Sequence, residues 1–341
     1  LLASIRSELT RHVVLPEHTD LPIALWTLLT YSTESFRILP CLSVVSPEKR
    51  CGKTTLLEVI QSLSNKALMA SNISATAVFR VIEKYHPSLL IDEADTSLPN
   101  NDELRGILNS GHTRASAYVV RVNTETLEPE RFNTFTPKVI AMIGLNRLPD
   151  TIQDRSVIVQ LRRKLADERT DKLTIDFEHQ CLEIRQRCLR WALDNEDQLV
   201  ATTPAVPEVN NDRASDNWTP LLTIAQVISD DCYNEAREAM VMLVQGAEEN
   251  DSIGAQLLRD IKIIFEVERI GRVHSGDLIE HLVTMEERPW GEFGRSKKQI
   301  TQRMLATQLK KFDIKSKNIR IGEIIKKGGE TRYTFLDQTL C

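Results

Sequence analysis

Two stretches decide the fold: Ser46–Thr55, with the sequence SPEKRCGKTT, and Ser88–Asp95, with the sequence SLLIDEAD. The first lies between a short apolar run and a segment whose apolar residues recur at helical spacing, which predicts a strand, a loop and a helix. The triplet Gly52-Lys53-Thr54 at its end is typical of a Walker A loop, which binds phosphate. Such a triplet also occurs by chance, so this stretch alone leaves both interpretations open.

The predicted loop has the chemistry of an ATP site. N–H groups at a helix N-terminus favour anions, Lys53 is expected to reach the β- and γ-phosphates, and the Thr54 hydroxyl to ligate Mg²⁺. The loop departs from the usual pattern at Pro47, where a glycine is common, and at Arg50, where a positive φ would cost about 1–2 kcal/mol. The predicted ATP-binding residues of this loop are Pro47, Glu48, Lys49, Arg50, Cys51, Gly52, Lys53, Thr54 and Thr55.

The second stretch supplies two acids after a buried strand, which is the Walker B pattern. Asp92 is expected to be the second metal-binding residue beside Thr54, because ligands of open α/β sheets bind at the carboxyl ends of the strands. Glu93 is then the predicted general base that activates the attacking water. The alternative is an acidic cap at the start of a helix. The occurrence of both stretches in this order favours a nucleotide site.

Two further residues complete the predicted catalytic set with Glu93. Asn146 follows the predicted strand Val139–Ile143 and is expected to orient the water as sensor 1; an ordinary turn asparagine is the alternative. Arg155 precedes another strand and is predicted to stabilise the transition state in a neighbouring subunit, as an arginine finger. A surface ion pair of Arg155 with Asp150 or Asp154 remains open.

The rest of the chain predicts an α/β protein with a mostly parallel sheet covered by helices on both faces, since strands alternate with helices. Hydrophobic residues make up 41% and charged residues 27%, the balance of a soluble globular protein, and no apolar run is long enough to cross a bilayer. We therefore expect no membrane contact. The six cysteines form no C-x-x-C pair, which favours free thiols in a reducing cytosol, so we expect a cytoplasmic location. The predicted domains are a helical segment (1–40), the ATPase core (41–170), a helical lid with an amphipathic helix over 171–195 (171–250), and a basic domain (251–341).

Charge is unevenly distributed along the chain. The whole sequence has a net charge of −5, whereas residues 252–341 contain 17 Lys and Arg against 12 Asp and Glu. Helices followed by two short strands, joined at Gly328-Gly329, predict a winged-helix-like domain that contacts DNA phosphates. A charge run that is only a solvated face is the alternative. The predicted contacts are Lys297, Lys298, Arg303, Lys315 and Lys317.

The motifs SPEKRCGKTTLL, LLIDEAD, ELRGILNSGH and DRSVIVQLRR, with DRASDNWTPLLTIA further on, resemble an uncharacterised family of AAA+ ATPases of bacterial and mobile-element replication proteins. More distantly, the chain is similar to superfamily 3 and D5-like primase-helicases. The resemblance implies a P-loop AAA+ core, the cofactors ATP and Mg²⁺, a homo-hexamer around single-stranded or forked DNA, and a primase or toprim module upstream. It also implies Arg213 as sensor 2 on the lid.

In superfamily 3 relatives a hairpin before sensor 1 grips the DNA backbone. The matching stretch here carries Arg121 and Arg131, which are the predicted DNA contacts, but Glu125, Glu128 and Glu130 crowd its tip. Carboxylates repel phosphate, so a solvated hairpin without a DNA role remains open.

The expected function is an ATP-driven DNA helicase or translocase acting in DNA replication. The alternatives are a nucleotide-gated DNA-binding regulator, and a remodelling or defence-associated ATPase without unwinding activity.

Overall fold

A computed structural model describes the chain except for residues 72, 99–100, 124–125, 166, 210, 251–252, 271, 286–287, 294–297, 311, 313, 315–316, 320–332 and 338–341, and except for the side chains of 146, 245–250, 255, 317–319 and 333–337. The chain divides into two compact units, Leu1–Ala247 and Glu248–Cys341. The finer division of the first unit into helical segment, core and lid stays a prediction.

The first unit is built on a five-stranded parallel sheet, so the predicted α/β class with a parallel sheet is confirmed. Its strands are short apolar runs, and most of their residues are buried because helices cover both faces. The strands are β1 (Cys41–Ser46), β2 (Ala67–Ala70), β3 (Ser88–Ile91), β6 (Lys138–Ile143) and β7 (Ser156–Gln160), in the order β2-β3-β6-β1-β7.

Between β3 and β6 the chain forms a separate antiparallel hairpin of β4 (Tyr118–Val122) and β5 (Pro129–Asn133). Arg121 pairs with Glu130 and Val120 with Arg131 across the two strands. The predicted hairpin is thus confirmed, and the acidic tip predicted at its turn includes Glu125, which lies outside the described residues.

The helices of the first unit pack against the two faces of the sheet in separate hydrophobic clusters. Their first turns are capped where the sequence offers a short polar side chain: Ser74 accepts from Ala77 N, and Asn101 from Leu104 N. The helices are α1 (Leu2–His12), α2 (Asp20–Leu29), α3 (Lys53–Leu63), α4 (Ala75–Tyr85), α5 (Ala94–Ser97), α6 (Asp102–Ser110), α7 (Asp150–Gln153), α8 (Phe177–Gln180), α9 (Leu182–Asp194), α10 (Glu196–Ala201), α11 (Asp212–Ile228) and α12 (Asp230–Asn250).

The single amphipathic helix predicted over 171–195 is wrong. Residues 171–174 have no regular structure, and a turn at 175–176 leads into the short helix α8, which ends before α9 begins. Tertiary contacts override the helical pattern here: Asp171 N donates to Arg11 O at 2.9 Å, and His12 Nδ1 lies 3.0 Å from Asp171 O. Asp171 also pairs with the Arg11 side chain, which holds this segment against the end of α1.

In the second unit, the described residues form α13 (Ile253–Glu268), β8 (Arg272–His274), α14 (Ser275–Thr284), α15 (Gln302–Lys310), β9 (Lys317–Ile319) and β10 (Tyr333–Asp337). Its three strands form an antiparallel sheet in the order β8-β10-β9. Trp290 is fully buried in its core, where its indole N–H donates to Asp260 at 2.8 Å. The predicted junction Gly328-Gly329 lies outside the described residues, and the winged-helix assignment stays a prediction.

None of the helices in the described part of the chain combines the length and the apolarity that crossing a bilayer requires.

Candidate functional site

The loop between β1 and α3 turns sharply just before the first residue of the helix, Lys53. Gly52 has a φ of 85°, a left-handed conformation that glycine adopts without a steric penalty. Arg50 has a φ of 67°, so the chain accepts a strained arginine there at a cost of about 1–2 kcal/mol. The first N–H groups of an α-helix have no partner within the helix, so those of α3 suit an anion bound at its N-terminus.

Ser46, the last residue of β1, holds the lysine of the loop. Lys53 Nζ donates to Ser46 Oγ at 2.6 Å, and Ser46 Oγ donates to Glu48 O at 2.7 Å. The carbonyl of Ser46 accepts from Gly144 N at 2.8 Å. The sequence prediction assigned no role to Ser46; a hydroxyl residue at the strand end, directly before the loop, was the available signal.

Thr54 and Asp92 lie together, as the two Walker patterns predict. Thr54 Oγ1 donates to Asp92 Oδ2 at 3.1 Å, and the other carboxylate oxygen accepts from Glu93 N at 2.8 Å. Asp92 is buried, with 7% of its surface exposed, at the carboxyl end of β3. A hydroxyl and a carboxylate side by side are a donor set that fits Mg²⁺, which prefers oxygen ligands and uses few from the protein.

Glu93 follows Asp92 in a strained backbone conformation with a φ of 50°. Its side chain is exposed, and its carbonyl is held by the Thr96 hydroxyl at 2.9 Å and by Thr96 N at 3.0 Å. A left-handed glutamate costs about 1–2 kcal/mol and persists where neighbouring contacts enforce it, often at functional sites. The carboxylate thus lies in solvent next to the predicted metal site.

The segment that holds Asn146 lies at the same edge of the sheet, because β6 lies between β1 and β3. Asn146 is in the 3-10 turn Leu145–Arg147, directly after Gly144, which has a φ of 83°. A hydrogen bond connects the end of β6 to the segment that follows β3: Ile143 N donates to Asp95 Oδ1 at 3.3 Å. Asp95 is a second residue to which the sequence prediction assigned no role.

The remaining predicted ATP-binding residues of the loop lie around Lys53. Pro47, Glu48, Lys49 and Arg50 are exposed, and Thr55 is half-buried in the first turn of α3. Cys51 is buried beneath the loop, with Sγ 3.4 Å from Glu48 O.

The structure does not bring Arg155 or Arg213 to Lys53. Both lie at the amino ends of β1 and β7, whereas the loop follows the carboxyl end of β1. Arg155 Nη1 donates to Thr151 O at 2.7 Å. Within the described residues no salt bridge joins Arg155 to Asp150 or Asp154, but the charge of Asp154 does attract Arg155 and raises its pKa against the effect of burial, so the alternative of a surface pair stays open.

A buried polar cluster beside Arg155 was not predicted. His112 Nε2 lies 2.8 Å from Asn217 Oδ1, and Asn217 Nδ2 donates to Asp154 O at 3.0 Å. Since Oδ1 accepts, His112 is the donor at Nε2. Burial lowers the pKa of His112 to about 4, which the bond to Asn217 opposes only in part, so the imidazole is neutral at pH 7.

Lys138 is fully buried behind this cluster. Its Nζ donates to Gly111 O at 2.9 Å and to Thr136 O at 2.7 Å. Burial lowers its pKa to about 8, against the influence of Cys41. Two carbonyl acceptors compensate for part of the lost hydration, as a buried cation requires.

The arginines predicted for the hairpin already have partners within the chain. Arg121 Nη2 donates to Glu103 at 2.8 Å, and its guanidinium lies 5.2 Å from the centre of the Phe79 ring. The Arg131 guanidinium stacks on Tyr118 at 3.5 Å. These contacts leave less of each cation available to phosphate.

The basic residues of the second unit have a different environment. Lys298 and Arg303 are exposed, and neither pairs with a carboxylate of the described residues. Lys317 begins β9, and its side chain is outside the description. Lys297 and Lys315 lie outside the described residues.

A comparison with protein families matches residues 160–339 to the model described as "Protein of unknown function (DUF3631)". This match covers more than half of the chain. The chain belongs to the DUF3631 family. The part that defines DUF3631 begins at the last residue of β7 and includes Arg213 and most of the second unit. Lys53, Asp92 and Glu93 precede it.

Among curated proteins, this DUF3631 chain is similar to the "Uncharacterized 28.9 kDa protein in xis 5'region" of Saccharopolyspora erythraea, with 30% identity over 156 residues. The similarity covers 45% of this chain and 57% of that relative, so the chain spans little more than half of its length. Among solved structures, the A form apo structure of the NrS-1 C-terminal region aligns over 98% of this chain and 74% of that chain, with a TM-score of 0.41 and 12% identity.

Proposed function

We propose that this DUF3631 chain is a magnesium-dependent ATPase of the P-loop AAA+ class. The observation that carries the proposal is the contact of Thr54 with Asp92, 3.1 Å apart, beside the ammonium group of Lys53. Residues from two separate stretches of sequence meet at one edge of a parallel sheet, which is where ligands of such sheets bind. The proposal extends to single-stranded or forked DNA as the track and to DNA replication as the process.

Each residue of the site has a defined part in ATP hydrolysis. Lys53 exchanges its bond with Ser46 for phosphate oxygens, and the first N–H groups of α3 bind the same phosphates. Thr54 and Asp92 would hold Mg²⁺, which would neutralise part of the phosphate charge when bound. Glu93 accepts a proton from the attacking water, for which its exposed carboxylate has direct access.

The strand order supports the expected role of Asn146. With β6 between β1 and β3, a residue just after β6 lies between the lysine loop and the two acids. Asn146 is therefore the proposed group that orients the water opposite Glu93. Arg155 is proposed to serve a neighbouring subunit of a ring, since it lies at the other end of the strands.

Movement along DNA is the finer part of the proposal. The motif resemblance to primase-helicases supports it, together with the exposed cations Lys298 and Arg303. One observation favours the alternative of a nucleotide-gated DNA-binding regulator. Arg121 and Arg131 of the hairpin are engaged within the chain, so DNA contact falls mainly to the second unit.

The test is the steady-state ATPase rate of the full chain, with and without single-stranded DNA. Lys53→Ala is expected to abolish hydrolysis, whereas Glu93→Gln should keep nucleotide binding and slow turnover by about 10²–10⁴-fold. Lys172→Ala, which removes an exposed lysine elsewhere, is the charge-matched control. Unchanged hydrolysis by Lys53→Ala would overturn the ATPase proposal.

The same assay separates the two functions. Stimulation of hydrolysis by single-stranded DNA supports a translocase, whereas ATP-dependent duplex binding without stimulation supports a regulator. Full activity of Arg155→Ala would remove the shared site between subunits.

A further inference from the structure

The hydrogen bonds between β4 and β5 show which backbone groups of the hairpin face outward. Asn123 N donates to Glu128 O at 2.9 Å, so these two residues form a bonded pair just beyond the ends of the strands. Bonded pairs alternate along an antiparallel ladder with pairs that make no bonds between the strands. The residues of β4 whose N–H and C=O groups point away from β5 are therefore Tyr118, Val120 and Val122.

The outer edge of β5 is protected against another strand. Its outward residues are Pro129, Arg131 and Asn133. Pro129 has no N–H, and the N–H of Asn133 donates to Glu83 Oε2 on α4 at 2.5 Å. Two of the three outward positions on this edge thus offer no donor, which is a common way to block an exposed edge strand.

The outer edge of β4 lacks this protection. Within the described residues, the N–H groups of Tyr118, Val120 and Val122 have no hydrogen-bond partner. Their side chains are 39%, 51% and 62% exposed, so the edge is open to solvent. Val120 O accepts from Arg121 Nη1 at 2.9 Å, a surface contact that a backbone N–H can replace. A row of unpaired backbone groups along a strand is a template for one more strand.

The register of β4 fits a second copy of the same strand. When two β4 strands run antiparallel and Val120 lies opposite its counterpart, every outward N–H faces an outward C=O. Tyr118 then lies opposite Val122 of the other copy, and an aromatic residue beside a β-branched one is a favourable cross-strand pair. Arg121 lies opposite Val119, so the two arginines do not face each other.

The side chains of β4 favour a second copy over an unrelated strand. Any extended chain offers N–H and C=O groups, but Tyr118, Val120 and Val122 share one exposed face of the hairpin. An added strand therefore has to carry apolar residues at alternate positions on that face. β4 has this pattern itself, in the sequence YVVRV.

We propose that the outer edge of β4 is an interaction surface at which two copies of this chain pair their β4 strands, antiparallel and centred on Val120. The two hairpins then form one continuous antiparallel sheet. The contact uses the same surface on both copies, so it is twofold and differs from the head-to-tail contacts of the ring expected from the motif resemblance. It involves no residue of the nucleotide site and is independent of the proposed ATPase function.

Proline at position 120 tests the pairing. Val120→Pro removes an outward N–H without removing a bond of the hairpin, and proline is tolerated on edge strands. The mass of the full chain, measured by light scattering over a range of concentrations, is expected to fall by half in this variant. Arg131→Pro makes the same change directly opposite, on the edge of β5, and should keep the wild-type mass.

A second variant leaves the backbone unchanged. Val120→Lys places two like charges opposite each other at the centre of the pairing, which opposes association, and is likewise expected to halve the mass. Leu193→Lys adds the same charge at an exposed leucine of α9 and should keep the wild-type mass. Denaturant unfolding of each variant shows that the fold is retained.

Hydrogen exchange of the backbone amides locates the contact. The amides of Tyr118, Val120 and Val122 should exchange several-fold more slowly as the concentration of the wild type rises. Those of Val119 and Arg121 face β5, so the hairpin protects them at every concentration.

Three results would overturn the inference. They are a wild type that stays a single chain at every concentration, an equal loss of mass in Val120→Pro and Arg131→Pro, and free exchange of the outward amides of β4 in the associated protein. A strand from another protein as the partner gives the first of these results. Lys53→Ala should keep the wild-type mass, so a failure of the ATPase proposal leaves this one standing.

Discussion

Asn217 on α11 donates its side-chain N–H to the backbone carbonyl of Asp154, 3.0 Å away, while its oxygen accepts from His112. Asn217 is 1% exposed, so its bond to His112 is out of contact with water, whereas its bond to the Asp154 carbonyl is partly buried. One amide thus joins three elements that are distant in sequence. This contact determines how α11 meets the turn before β7.

Replacement of Asn217 by leucine should weaken both the fold and the proposed ATPase activity. The change leaves His112 and the Asp154 carbonyl without partners, and each buried group left unpaired costs about 1–3 kcal/mol. Denaturant unfolding measures the loss, and the ATPase rate below the transition measures the effect on Arg155. Gln226→Leu, an exposed amide on the same helix, should change neither quantity. Equal stability of the two variants would contradict the role of Asn217.

Acid should destabilise the protein through His112. The folded chain protonates this residue near pH 4, whereas its ordinary pKa is 6.5. Between these values the unfolded state binds more protons, so stability falls as the pH falls, by up to roughly 3 kcal/mol from this residue. His112→Gln should flatten the dependence of the unfolding free energy on pH in this window. His179→Gln, on the exposed side of α8, should leave it as in the wild type.

Gly111→Ala and Gly106→Ala should change stability in opposite directions. A Cβ at position 111 would lie 2.0 Å from Thr134 O and 2.8 Å from Lys138 Nζ, so the backbone must move. Overpacking of this kind costs about 1–3 kcal/mol or more. At Gly106, inside α6, nothing lies within 4 Å, and alanine should add about 0.5–1 kcal/mol. Thermal unfolding of both variants checks the signs.

Glu93→Gly should stabilise the protein while it removes hydrolysis. The left-handed φ of 50° at Glu93 costs a glutamate about 1–2 kcal/mol that glycine avoids, although glycine loses part of this gain through its unfolded-state entropy. Glu93→Gln should lose turnover without the gain in stability. If both variants unfold at the wild-type denaturant concentration, the conformation is not strained.

Salt dependence should locate the surface that contacts the proposed DNA track. Arg303→Gln and Lys310→Gln on the exposed face of α15 should each lower the slope of log K against log salt by about 0.7–0.9, provided that each cation neutralises one phosphate. Arg121→Gln should change the slope little, because Glu103 and Phe79 already hold that side chain. The opposite result would assign DNA binding to the hairpin.

Local pattern predicted much of the sheet. β3 (Ser88–Ile91) is the buried strand predicted before the two acids, and β6 (Lys138–Ile143) contains the predicted strand Val139–Ile143, since each is a short apolar run. The contact of Thr54 with Asp92 followed from the rule that parallel strands end at one edge. At three residues, β8 is too short for its alternation to be recognised.

Contacts between distant segments were beyond prediction. Nothing near Asn217 in the sequence indicates His112 or Asp154, and the position of Arg213 depends on how α11 packs on β7. The break before α8 likewise depends on Arg11, which comes from the first helix.

Because the partner of Lys53 is the uncharged hydroxyl of Ser46, the ammonium group remains available to an incoming anion. An aspartate at the end of β1 would neutralise the lysine and compete with every incoming anion, so the chain would inhibit itself. The uncharged hydroxyl holds the ammonium group in position and yields to a stronger acceptor. Substitution of Ser46 by an acid would thus place the protein's own carboxylate where an incoming anion would bind.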